Sequence, residues 1–329
     1  MPDLALIEQL DQAIDLILTG AAQPRPADLT LASLMDVADT LRSLPDERFK
    51  ARLGAELERK ALMKATNTAS SSVIQAITPH INVPEGVKFI DFLKHTFGAE
   101  ETGRHSHGPG DGFVATVKIG DSDLLIFGGK AMRGQELTTG LHVYVKDCDA
   151  TYRLALDAGA ITISPGFGEP ADRPYGERAA FVADPFGNHW NIATRFDPSV
   201  KDPMFEGQKD VTIALYQPNA SMLIDFLKRA FGAEEVGHRH EEGGYLAHAF
   251  VRIGKVLIEM GDTADTEARH PYGFYMYTDD VDAVYHRAVA AGAVSLLPPA
   301  DQAFGDRIAV LQDPLGNNWI PAKTLRKTT

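Results

Sequence analysis

The stretch Glu177 to Thr194, ERAAFVADPFGNHWNIAT, returns near the C-terminus as Asp306 to Lys323, DRIAVLQDPLGNNWIPAK. Both keep an acid followed by Arg, an apolar run, Asp-Pro, an apolar residue, Gly-Asn, one polar residue and Trp. Asp, Pro and Gly stand where a type I turn prefers them, so each copy reads as strand, tight turn, strand. Alternation after the turn sends Trp190 and Ile192 to one face and His189, Asn191 and Ala193 to the other. Function is expected on the second face.

Working outward, the same duplication extends over most of the chain. FIDFLKHTFGAEETG (Phe89 to Gly103) returns as LIDFLKRAFGAEEVG (Leu223 to Gly237), and VKDCDATYRLALDAGA (Val145 to Ala160) as TDDVDAVYHRAVAAGA (Thr278 to Ala293). The offset of roughly 130 residues is the size of a domain rather than of a solenoid repeat. Within one copy the pattern is strand, helix, then strands, twice over: strand Ile77 to Val83, a helix with Phe89, Phe92 and Phe97 on one face, strands Phe113 to Ile119 and Leu124 to Phe127, strand Leu141 to Val145, a helix from about Asp149 to Ala158, and strand Ile161 to Ser164 before the hairpin. Residues 1–65 read as a helical module, with Leu4, Ile7, Ile14 and Leu18 on one face of its first helix and Ser43 and Asp46 at capping-box spacing. Residues 66–73 read as a linker, 74–198 and 209–325 as two homologous domains, and 199–208 as the linker between them.

Composition limits the partners. A formal charge of -13 over 329 residues argues against phosphate contacts, so nucleic acid is not expected and a small molecule is. Cys148 is the single cysteine, which excludes an intramolecular disulfide and a thiolate cluster. The start MPDLALIEQLDQAIDL carries acids where a signal peptide needs a basic region, and no apolar run approaches ~18 residues, so a cytoplasmic location and no membrane partner are expected. The helical module is expected to pack on the rest or to support a homodimer; a partner-binding scaffold is the alternative.

FGAEE, YGER and DPFGNHW, in this order on a duplicated βαβββ grammar, resemble the vicinal oxygen chelate superfamily of glyoxalase I, bleomycin-resistance proteins and extradiol dioxygenases, and within it the PhnB-like branch. The resemblance covers about Ile74 to Leu325. It implies an α+β fold in which each domain pairs its two βαβββ units into a curved, mainly antiparallel sheet with a ligand cup on the concave side. It also implies four places for metal ligands per domain. Carried over, these are His80, Phe127, His142 and Asn191 in the first domain and Ala214, Glu259, Tyr275 and Ile320 in the second.

His80 and His142 are thus the candidate metal ligands, for Fe, Zn, Mn or Ni, in a shell that lacks its carboxylate. Glu259 is a candidate catalytic base if burial raises its pKa, with an ion pair to an Arg such as Arg252 as the plainer reading. Phe127, Tyr144, His189, Asn191, Tyr216, Tyr275 and Tyr277 are the expected ligand contacts. His105 and His107, like His238 and His240, sit in Gly-rich stretches read as solvated connections, His248 as a hydrogen-bonded sheet histidine, and Cys148 as structural because Asp147 and Asp149 oppose a thiolate. Two functions follow from the resemblance: a binding cup for an aromatic or apolar small molecule with no obligatory metal, or a metal-dependent lyase, isomerase or dioxygenase built on His80 and His142.

Overall fold

The sequence grammar becomes four units of one strand, one helix and returning strands. The first comprises β1 (Ile74–Val83), α1 (Gly86–Phe97), β2 (Glu100–Ser106), β3 (Phe113–Ile119) and β4 (Ser122–Gly128). The second holds β5 (Gly140–Tyr144), α2 (Cys148–Asp157), β6 (Ile161–Thr162), β7 (Ala171–Arg173), β8 (Glu177–Ala183) and β9 (His189–Arg195). In the third are β10 (Val211–Tyr216), α3 (Ala220–Phe231), β11 (Glu234–His240), β12 (Leu246–Ile253) and β13 (Val256–Gly261), and in the fourth β14 (Gly273–Thr278), α4 (Val281–Ala291), β15 (Val294–Asp301), β16 (Asp306–Gln312) and β17 (Asn318–Thr324). This computed structural model describes residues 72–107, 110–129, 136–164, 166–196, 209–240, 245–263 and 271–325. The expected helical module, nearly all of the first linker and the whole of the second lie outside the described residues.

The duplicated sequence duplicates its helix stops and starts. α1 and α3 both end at a left-handed glycine, Gly98 and Gly232, whose N–H turns back to the last-turn carbonyls. α2 and α4 both begin at an Asp whose side chain accepts a backbone N–H three residues on, Asp147 from Ala150 and Asp280 from Ala283. The apolar face of α1, Phe89, Phe92 and Leu93, is buried, as are Leu223, Phe226 and Leu227 of α3.

Strand order corrects one expectation: the two units of one expected domain do not share a sheet. One sheet runs β15-β16-β17-β14-β1-β4-β3-β2, so the first unit joins the fourth; the other runs β11-β12-β13-β10-β5-β9-β8-β6, so the second joins the third. The joints are antiparallel, β1 with β14 and β10 with β5, while β1–β4, β5–β9, β10–β13 and β14–β17 are parallel. Each joint needs a glycine. A Cβ on Gly140 would stand 2.3 Å from the carbonyl oxygen of Ala214, and one on Gly273 the same 2.3 Å from that of His80. Only hydrogen fits there, so backbones of different halves meet at these two points. A sequence in which all four units look alike carries no other sign of which unit meets which.

A second correction concerns β2 and β11, which occupy stretches read as Gly-rich connections. β2 is an edge strand with mostly exposed side chains, so it lacks the apolar alternation that would announce it. His105 therefore lies on β2, and His238 and His240 lie on β11.

The DPxGN hairpin is held from inside by its aspartate. Oδ1 of Asp184 accepts the N–H of Phe186 and of Asn188, both at 2.9 Å, and Oδ2 accepts Asn188 Nδ2 and Trp190 Nε1, again at 2.9 Å. Asp313 repeats all four contacts with Leu315, Asn317 and Trp319. Asn188 then accepts the N–H of Thr139 at 2.9 Å, which fastens the turn to the entry of β5. On the other side of β9, Trp190 packs on Phe97 of α1 at 4.6 Å between ring centroids, as expected for the helix-facing side.

Asp184→Ala should cost about 3 kcal/mol of stability, because it strands several buried donors at once. Urea unfolding followed by tryptophan fluorescence reads this, and Trp190→Phe, which deletes one of those donors, should cost less.

Candidate functional site

β5, β8 and β9 of the second unit and β10, β12 and β13 of the third curve around a cavity of about 650 Å³. His142, Tyr144, His189, Asn191, Tyr216 and Glu259, all singled out in the sequence, line it together. His80, Phe127, Tyr275 and Tyr277, also singled out, are not among its lining residues. They stand on the other sheet, where His80 stacks on Phe127 at 4.2 Å and Tyr275 lies 5.3 Å from Tyr277. Ile320 and Ala322 pack beside Tyr275 in a small apolar cluster there. The pairing of His80 with His142 in one metal shell is therefore overturned: the units that carry them belong to different sheets.

At the floor of the cavity four strands, β5, β10, β12 and β13, contribute one ionic network. His142 Nδ1 lies 2.8 Å from Glu259 Oε2, and both side chains are about 5% exposed. Glu259 Oε1 accepts the Tyr216 hydroxyl at 2.6 Å and faces His248 Nε2 at 3.1 Å. Glu259 thus pairs with two histidines and a tyrosine, not with Arg252. On the other flank, Glu177 Oε1 accepts the Tyr144 hydroxyl at 2.7 Å and lies 4.0 Å from Arg195 Nε. The Tyr144 ring is held between His142, stacked at 4.5 Å, and the Arg195 guanidinium at 3.9 Å.

These contacts set the charges. Burial alone would push the His142 imidazolium down, but the carboxylates of Glu259 and Glu177 reverse the sign and its pKa is pushed up to about 9. Burial would likewise raise Glu259, yet the charge and hydrogen bond of His142, with that of His248, hold it well below the usual carboxylate range. The raised Glu259 pKa expected from the sequence is thus corrected: the residue that lowers it was assigned to the other half of the chain. His80, with no such partner, is pushed down to about 3 by burial and stays neutral. Cys148 fits its structural reading. It donates to the Ile192 carbonyl at 3.2 Å, and burial, then Asp149, pushes its thiol up to about 11.

Three buried polar atoms of cavity-lining residues lack a hydrogen-bond partner: His142 Nε2, Glu177 Oε2 and Asn191 Oδ1. The first two are 3.5 Å apart. Such atoms invite a metal, but the donor set does not fit one. Among the described residues no three His, Cys, Asp or Glu side chains are grouped to hold an ion. The four family positions that meet in this cup are His142, Asn191, Ala214 and Glu259, and His142 commits Nδ1 to Glu259.

Glu177, His248 and Arg195 join the site without a sequence signal that marks them for it. The repeated acid-Arg pair marked Glu177 as a strand start, and its role appears only once Tyr144 and His142 are beside it. The mouth adds Phe167 and Tyr175, both more than half exposed. Phe167 stacks on Phe181 at 5.4 Å, and Arg173 lies over its ring at 4.3 Å.

Known proteins share parts of this design. Residues 211–320 match the family described as Glyoxalase/Bleomycin resistance protein/Dioxygenase superfamily. An uncharacterized protein of Mycobacterium tuberculosis is 32% identical over 145 residues, 40% of this chain and 82% of that one. One from Mycobacterium bovis is 34% identical over 133 residues, 37% of this chain and 84% of its own. Among solved structures, glyoxalase I from Zea mays aligns over 77% of this chain and 92% of its own, with a TM-score of 0.56 at 15% identity. A putative dioxygenase from Bacillus subtilis aligns over 77% and 86%, with a TM-score of 0.51 at 16% identity. These two likenesses concern the fold alone.

Glu259→Gln should bring the His142 titration down from about 9, because Glu177 alone is left to oppose burial, as read from imidazole NMR shifts. A histidine raised in the fold adds stability that is complete below its unfolded value and is lost as pH rises through its folded one. The parent should therefore lose stability between about 6.5 and 9, and the variant should lose less over the same range.

Proposed function

Because the chain belongs to the glyoxalase/bleomycin resistance protein/dioxygenase superfamily, whose members bind small molecules and often use a divalent metal, we propose that the cup of the nine-stranded sheet binds one small aromatic or apolar molecule and needs no metal to do so. The observation that carries this reading is the cavity itself: about 650 Å³, lined by the aromatic residues Tyr144, Phe167, Phe181, Tyr216, Phe250 and Tyr272. Concave, mainly apolar sites of this size with a few convergent polar groups suit compact organic ligands. Aromatic walls favour flat rings through offset and edge-on contacts.

The residues at the family positions support a metal-free cup. Ala214 supplies no donor, Asn191 supplies a neutral amide, and the Nδ1 of His142 is engaged by a carboxylate. A second reading is favoured by one observation. His142 Nε2 and Glu177 Oε2 face each other at 3.5 Å in the buried floor, a proton donor beside a proton acceptor. That pair suits a metal-independent isomerase or lyase that moves a proton on the bound molecule.

Flat aromatic compounds should raise the thermal midpoint of the full chain in a concentration-dependent way, and Ala214→Phe, which fills the cup from β10, should abolish the rise. Elemental analysis of chelator-free protein decides the metal question. A stoichiometric transition metal, lost together with ligand binding on chelation, would end the metal-independent reading. Conversion of a bound compound on prolonged incubation would promote the isomerase or lyase reading.

A further inference from the structure

One wall of the cup carries a hydrogen-bonding atom that stays open to a guest. β12 alternates there: Ala249 and Val251 enter the apolar core, while His248 and Phe250 turn to the cavity and line it. Phe250 stands opposite Glu259 on β13, and His248 reaches diagonally to the same carboxylate, Nε2 to Oε1 at 3.1 Å. The Phe250 ring meets the imidazole edge-on at 4.6 Å between centroids, so the imidazole is held from two sides. Its side chain is nevertheless 32% exposed, against 5% for His142 and Glu259.

Resting on the reading of the cup as an aromatic-ligand site, we infer that the ligand carries an N–H or O–H donor on the edge of its ring system and that His248 Nδ1 accepts it. The tautomer follows from the partner. A carboxylate oxygen can only accept, so the imidazole proton sits on Nε2 and the lone pair on Nδ1. Glu259 carries one negative charge and already faces the His142 imidazolium at 2.8 Å, so a neutral His248 completes the set without a surplus cation. Nδ1 of His248 makes no hydrogen bond among the described residues and is not buried, so it faces open space. Its polar neighbours on this wall are committed. The Asp262 carboxylate accepts the backbone N–H of Ala220 at 2.8 Å and of Leu246 at 2.9 Å, and the Tyr245 hydroxyl donates to the Asp262 carbonyl at 2.6 Å. A donor on the guest replaces the water that Nδ1 otherwise holds, whereas an acceptor there sets two lone pairs against each other.

Calorimetric titration of the full chain with indole, benzofuran and quinoline, at about pH 8 and so above the ordinary histidine range, reads the donor directly. All three are flat bicycles: indole offers an N–H donor, benzofuran has the shape of indole without it, and quinoline offers an acceptor. Indole is expected to bind about fivefold more tightly than either of the others, the scale of one net hydrogen bond. His248→Phe keeps a ring at this place and should abolish the preference. In nitrogen NMR of the parent, the His248 Nδ1 resonance should move when indole binds and not when benzofuran does. Equal binding of the three, or tighter binding of benzofuran or quinoline, overturns the inference while the aromatic cup survives. Failure of all three to bind overturns the cup reading and the inference with it. A preference that persists in His248→Phe with the parent circular dichroism melt also overturns it, since the acceptor is then another group. Should that variant fail to fold, the parent resonance decides: an Nδ1 signal unmoved by bound indole ends the assignment.

Discussion

Much of this molecule hangs on two buried carboxylates. Asp184 and Asp313 each accept two backbone N–H groups, an asparagine amide and an indole N–H. Burial raises the pKa of both, with those hydrogen bonds pulling the other way. What the aspartate achieves is mechanical. It fixes the turn, sets the tryptophan against the helix layer, and through Asn188 or Asn317 positions the first residue before the next central strand. For Asp184 that strand is β5, which carries His142 and Tyr144.

The sheets and the helix layer tie the chain in different directions. Trp190 of the second unit packs on α1 of the first, and Trp319 of the fourth on Phe231 of the third. The sheets instead join the first unit to the fourth and the second to the third. Both halves are thereby interlocked, and the position that would have completed one half's shell is delivered to the other sheet. The divergence of the two concave faces follows. One collects His142, Glu259, Glu177 and Asn191 around a cavity, and the other collects His80, Phe127, Tyr275 and Ile320 into stacked and apolar contacts.

Much of the fold was legible because its signals are local. The Asp-Pro turn, the Gly98 and Gly232 stops and the strand Phe113–Ile119 are all written in neighbouring residues. The faces were legible as well: Trp190 turns to the helices, and His189 and Asn191 line the cavity. What could not be read was long-range pairing, since four similar units offer similar edges, and glycines such as Gly140 and Gly273 mark a close approach without naming the partner. That one unknown propagated into the site. His142 was grouped with His80 instead of Glu259, so a salt-bridged network looked like an incomplete metal shell, and the Glu259 pKa was expected to move the wrong way. Edge strands β2 and β11 were missed for a different reason, the lack of an apolar face.

The glycine joints also carry an evolutionary implication. Each sheet draws one unit from either side of the duplication, so every unit contributes strands to a single concave face and to no other. Substitutions that sharpen recognition in the second and third units leave the first and fourth untouched, which frees one basin to drift toward mere filler while its twin specialises. The spare lies along a diagonal rather than along the chain, and the basin with the polar lining is a hybrid of both halves.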